Sequence, residues 1–225
     1  MRTIYIEERR RVASLDIDAQ KCFTPLCPEE LPVPEGNLIV SELNAQADYA
    51  SLRLASKEAH SPSAHWVATE HKPMLTTIDA ENMDKHWPVH AVPGTQGFEL
   101  LEGLPPISAY HFVVWKGVEL DFHPYGACFH DIQEKLSTGL IEFLRAREIT
   151  TIIAGGLATD VCVKATVLQL LQANFSVILN LGACRGLTEA STRAAIDVME
   201  KRGAIIIPNA SALRNKNHFI ISEVA

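Results

Sequence analysis

No apolar run in this 225-residue sequence is long enough to cross a bilayer, so no membrane partner is expected. The first eleven residues are charged and lack the apolar core of a signal peptide. Basic residues are in deficit. Twenty Lys and Arg stand against 27 Asp and Glu, for a formal net charge of −7. There is no basic stripe with interleaved aromatics, which argues against nucleic acid as a partner. Cysteine is sparse and irregular. The five, at 22, 27, 128, 162 and 184, form no repeated C-x-x-C pattern. That argues against a disulfide framework and for reduced, cytoplasmic thiols. Internal repeats, low-complexity tracts and linkers are also missing, so residues 1–225 are read as a single domain with ample length for a large core.

Short apolar, β-branched runs alternate with segments of helical spacing. Strands are expected at 12–18, 52–56, 111–116, 151–154, 175–181 and 204–207. Helices are expected at 38–49, capped by Asn37, and at 138–147, 159–173 and 188–202. This alternation implies an α/β fold with a parallel, doubly wound sheet and helices on both faces. The core spans about 12–208. Residues 57–106 show no long periodic segment, and a loop of that length in a compact domain is usually functional. Five of the nine histidines (His60, His65, His71, His86 and His90) fall in it. Residues 214–225 read as a short tail or an oligomer contact.

The organising stretch is Thr151-Ile152-Ile153-Ala154-Gly155-Gly156-Leu157-Ala158-Thr159-Asp160-Val161-Cys162. A buried strand runs into two glycines and then a helix. Thr159 or Asp160 can cap that helix, which places Cys162 in its first turn. A thiol there faces unpaired backbone N–H groups and the positive end of the helix dipole, both favouring the thiolate. The same N–H groups are raw material for an oxyanion hole. Cys162 could equally be core. Two other strand ends carry reactive groups, Asp18 and Lys116. Parallel strands align their C-terminal ends, so the three side chains can meet in one crevice. There a thiolate would attack a carbonyl carbon, Lys116 would stabilise it by charge, and Asp18 would move protons. Taken singly, Asp18 could cap the following turn and Lys116 could be solvated. Asp16, one strand period earlier, either tunes Asp18 or pairs with a basic neighbour.

Together these residues resemble a known family. Asp18-Ala19-Gln20-Lys21-Cys22-Phe23 is similar to the D-x-Q-x-x-F segment of the isochorismatase-like cysteine hydrolases. Trp115-Lys116-Gly117 resembles their K-G strand end, and Gly156 to Val163 their G-x-x-T-[DE]-x-C-V loop. The resemblance implies a Rossmann-like three-layer sandwich and an Asp18–Lys116–Cys162 catalytic set. It also implies a cis peptide at Leu157-Ala158, with backbone N–H of Ala158 and Cys162 as the oxyanion hole.

Within that family, nicotinamidases and pyrazinamidases carry D-x-H and W-P-x-H around one divalent metal. Here Glu58-Ala59-His60 and Trp87-Pro88-Val89-His90 stand at those places. The resemblance therefore implies Glu58, His60 and His90 as ligands of Zn, Fe or Mn. Gln20 and His65 would support them from behind. Phe23, Trp87, Tyr125 and Leu157 would contact the substrate, a small amide. Glutamate replaces the family aspartate at 58, Ala91 replaces a frequent cysteine, and the segment from His60 to His90 is longer than in compact members. The expected activity is a cysteine amidohydrolase, foremost on nicotinamide, in a cytoplasmic homo-oligomer active in NAD salvage. The alternatives are a related enzyme on an N-carbamoyl or ureido compound and, in another class, a catalytically silent scaffold.

Overall fold

β2 (Val12–Ile17) is buried along its whole length and hydrogen-bonds parallel neighbours on both sides. Its odd positions Ala13, Leu15 and Ile17 join one apolar layer, while Ser14 and Asp16 face the other way. The computed structural model describes residues 3–215, so most of the segment read as a tail lies outside the described residues. The remaining strands are β1 (Ile4–Ile6), β3 (Leu52–Glu58), β4 (Thr77–Ala80), β5 (Met83–Lys85), β6 (Phe112–Lys116), β7 (Thr151–Leu157), β8 (Ser176–Arg185), β9 (Ile205–Ile207) and β10 (Leu213–Asn215). The helices are α1 (Val40–Ala47), α2 (Leu140–Ala146), α3 (Lys164–Gln172) and α4 (Glu189–Lys201).

The main sheet runs β6-β3-β2-β7-β8-β9, and every pairing in it is parallel. The apolar faces of α2, α3 and α4 cover one side through Leu144, Leu170 and Met199. On the other side lie α1 and two smaller clusters, around Leu43 and around Ile153. The expected three-layer α/β sandwich is what forms. Going from β2, the chain places β3 and β6 to one side and β7, β8 and β9 to the other. The order reverses beside β2, and a crevice opens there beyond the C-terminal strand ends.

Several elements differ from the sequence reading. Asn37 lies inside a 3₁₀ turn over Gly36–Ile39 that leads into α1, not at a cap. β3 continues through Glu58, beyond the expected Ser56. β8 runs four residues past the expected Leu181, across an irregularity in its register with β7. The segment 57–106 contains the antiparallel hairpin β4–β5. It has a small core of its own, with Trp66 and Trp87 packed against Ile78, Met83 and Tyr125. The parallel pair β1–β10 joins the two ends of the described chain. Among the described residues, no helix is long and apolar enough to cross a membrane.

Candidate active site

Four strand ends deliver the polar groups of the crevice. Asp18 follows β2 with a left-handed backbone (φ 47°). Ser56 on β3 donates to its Oδ1 at 2.7 Å, and Lys116 Nζ lies 2.9 Å from its Oδ2. Glu58 and Lys116 end neighbouring strands in direct register, so their side chains share one face. Lys116 Nζ donates to Glu58 Oε1 and lies 3.7 Å from Cys162 Sγ. Cys162 Sγ is 3.6 Å from the same Glu58 oxygen. All four side chains are buried. The structure thus brings Asp18, Lys116 and Cys162 together, with Glu58 among them.

β7 aims Cys162 through a tight local construction. Gly156 sits at φ 145°, and a Cβ there would stand 1.9 Å from the Ile17 carbonyl oxygen. Only glycine lets β7 run this close to β2. The Leu157-Ala158 peptide is cis. The chain then enters a π turn over Thr159–Val163 instead of the expected start of an α-helix. Neither Thr159 nor Asp160 caps it. The Asp160 carboxylate instead accepts from Leu187 N at 3.1 Å and from the Ser191 hydroxyl, which ties the turn to the start of α4. The Ala158 carbonyl accepts from Val161 and Val163, and not from the Cys162 N–H between them.

The electrostatics correct one expectation. Burial pushes the Cys162 thiol well above its ordinary range. Lys116 opposes this, but Glu58 and Asp18 add to it. This balance favours the protonated sulfur over the thiolate that a helix terminus would favour. Burial also raises Asp18, with Lys116 offsetting only part. For Glu58, burial is outweighed by Lys116 and His60, which hold it well below the carboxylate range. Asp16 does not reach this centre. Arg53 Nη2 lies 2.7 Å from its Oδ2, and the Tyr110 hydroxyl donates to the same oxygen at 2.8 Å.

Beside the thiol stands a second cluster. Glu58 Oε2 is 2.6 Å from His60 Nε2 and 2.9 Å from His90 Nε2. Each ring is oriented by a backbone carbonyl on its other nitrogen, Gly117 O at 2.8 Å and Pro88 O at 2.7 Å. Gly117 also makes room for His60, since a Cβ there would stand 2.2 Å from the ring. Gln20 brackets the Glu58 backbone, donating to its carbonyl and accepting from its N–H at 2.7 Å. His123 joins from the loop after β6. Its ligand atom and those of Glu58, His60 and His90 all lie within 4.8 Å of one another. Among the described residues, neither ring nitrogen of buried His123 has a hydrogen-bond partner. Three imidazoles and a carboxylate, one imidazole unpartnered, fit a divalent cation.

An apolar pocket opens over both clusters. Phe23, Trp87, Tyr125, Val161 and Leu187 line it, with Cys162, His90 and His123 at its polar end. The Tyr125 hydroxyl accepts from Trp87 Nε1 and donates to Asp84 on β5 at 2.6 Å, which fastens the hairpin to the pocket wall. Two expected site residues are elsewhere. His65 is exposed, and Trp66 next to it is the side chain that packs on His60, ring centres 4.7 Å apart. Leu157 is fully buried behind the pocket wall, in the cluster that also holds Phe23 and Ala158, and does not itself line the pocket. Cys22 and Cys184 pack in the core, and all five cysteines are free. Three contributors escaped the sequence reading: His123, Ser56 and Trp66. Of these only His123 carried a signal, its place two residues before Tyr125.

Comparison with known proteins agrees with this geometry. The family model described as "Isochorismatase domain" matches residues 13–211. A nicotinamidase of Escherichia coli (strain K12) is 33% identical over 181 residues, 77% of this chain and 84% of the relative. A solved nicotinamidase/pyrazinamidase of Acinetobacter baumanii superposes with a TM-score of 0.82 at 24% identity, covering 91% of this chain and 99% of its own. The pyrazinamidase of Pyrococcus horikoshii, solved in complex with zinc, gives 0.70 at 25% identity, covering 88% and 98%.

Proposed function

The chain belongs to the isochorismatase-domain family, in its nicotinamidase branch, and on that premise we propose that it hydrolyses nicotinamide to nicotinate and ammonia through a cysteine thioester. The observation that carries the reading is the meeting of Cys162 Sγ, Lys116 Nζ and Asp18 beneath an apolar pocket walled by Phe23, Trp87 and Tyr125.

The chain's own groups account for the proton path. The Cys162 thiol passes its proton to Asp18 as sulfur attacks the amide carbon, and the raised basicity of buried Asp18 suits it to the task. Lys116 meets the new thiolate, and the N–H groups of Ala158 and Cys162 face the tetrahedral oxyanion. Asp18 then delivers the proton to the departing nitrogen, which leaves as ammonia when the C–N bond breaks. In the second half, water attacks the thioester carbon. Asp18 takes a proton from that water, the C–S bond breaks, and the thiol is restored. Phe23, Trp87 and Tyr125 hold the ring over the sulfur. Glu58, His60 and His90 would hold a divalent metal, Zn, Fe or Mn. Such a metal, when bound, supplies a Lewis-acid contact for the ring nitrogen and a more acidic water. The free thiols suit a reducing cytoplasmic setting.

Ammonia release from a panel of nicotinamide, pyrazinamide and an N-carbamoyl compound tests the reading, with metal content measured on the same sample. Nicotinamide turnover is expected, and Cys162→Ala should lower it by about a thousandfold or more while the circular dichroism spectrum stays unchanged. Turnover confined to the N-carbamoyl compound would overturn the substrate. Substantial activity in Cys162→Ala would overturn the mechanism.

A further inference from the structure

We propose that His123 is a fourth protein ligand of the metal, an inference that rests on the metal-containing reading above. His60 and His90 each spend one ring nitrogen on a backbone carbonyl and turn the other to Glu58. His123 does neither. Its ring is 3% exposed, and among the described residues both nitrogens stand without a hydrogen-bond partner. Burying an imidazole in this way forfeits its hydrogen bonds to water. The ring is nonetheless firmly placed. It stacks on His60 at 5.2 Å and 20° and on Trp87 at 5.9 Å and 13°, with Trp66 edge-on at 4.4 Å. Its backbone N–H donates to Asn82 O at 2.8 Å, anchoring it to the hairpin turn. A side chain held by aromatic walls, with a nitrogen inside the cluster of Glu58, His60 and His90, has the position of a ligand.

The consequence is a donor set of three imidazoles and one carboxylate. One fewer coordination position stays open to water and substrate than with three protein ligands. The set leans toward Zn, Fe, Co or Ni and away from oxygen-preferring Mn or Mg. His123 also lines the pocket, so the rival role is a wall for the substrate ring.

Cobalt(II) titration of the metal-free protein separates the two, because cobalt d–d absorption reports coordination directly. Wild type is expected to bind one cobalt. His123→Phe, which keeps an aromatic ring between His60 and Trp87, should weaken cobalt binding at least about tenfold and change the absorption envelope. His123→Gln should do the same, and the metal-free melting temperature of both variants should match or exceed wild type. Unchanged affinity and spectrum, with only KM for the amide raised, would sink the ligand role and leave the metal site intact. If wild type itself bound no cobalt, or His60→Ala bound it as well as wild type, the underlying metal reading would fail instead.

Discussion

Glu58 joins the two halves of the site. Its Oε1 meets Lys116 and Cys162, and its Oε2 meets His60 and His90. The extra methylene over aspartate lets one carboxylate span both clusters. Lys116 is correspondingly placed between two buried carboxylates, Asp18 and Glu58, whose charges push its own pKa well up against the cost of burial. Removing one member of such a set leaves uncompensated charge in a dry interior. Lys116→Met is therefore expected to cost the metal-free protein about 3–5 kcal/mol in urea unfolding, besides eliminating turnover. At this scale the sequence showed the reactive types but not their states. Asp18, Lys116 and Cys162 were legible because each stands at a strand end or in the turn that directly follows one. His123 was not, since it stands 33 residues beyond His90 without any ligand spacing to mark it. His65 misled for the opposite reason: its closeness to His60 along the chain says nothing about which way a loop residue points. The thiol was misjudged because a cap and dipole argument leaves out the two carboxylates that other strands bring in.

Elements that are long and periodic were read within a few residues, and the misses share a cause. The hairpin β4–β5 has short, largely exposed strands, Thr77–Ala80 and Met83–Lys85, that carry no apolar alternation. The pair β1–β10 depends on segments more than 200 residues apart, beyond any local signal. The π turn replaced a capped α-helix because Asp160 found partners on α4, Ser191 and the preceding loop's Leu187, that its own neighbours do not disclose. Gly156 is the element-scale counterpart of Cys162. A methyl group there would collide with the Ile17 backbone, and φ 145° is closed to other residues. Gly156→Ala is expected to destabilise the fold by roughly 3 kcal/mol or more, read as a shifted urea midpoint and a poor soluble yield.

The whole molecule carries an acid-side signature through Asp16. Burial pushes its carboxyl up to about 6, with Arg53 and Tyr110 offsetting only part. Between its unfolded value near 3.8 and about 6, the folded state holds a proton that the unfolded state has released. Stability from this group is full below that window and declines as pH rises through it. Wild type should lose roughly 2.4 kcal/mol relative to Asp16→Asn between pH 4 and pH 7, seen in paired denaturation curves. A flat difference across that range would refute the assignment. The sheet order adds one consequence of its own. Asp18 and Lys116 stand at the ends of strands two and six and Cys162 in the turn that follows strand seven, on both sides of the topological reversal. A cut anywhere between 18 and 162 divides the reactive set between two fragments, each chemically silent. Turnover is thus an all-or-nothing reporter of the assembled sheet, and fragment complementation would restore it only when β2 regains both neighbours.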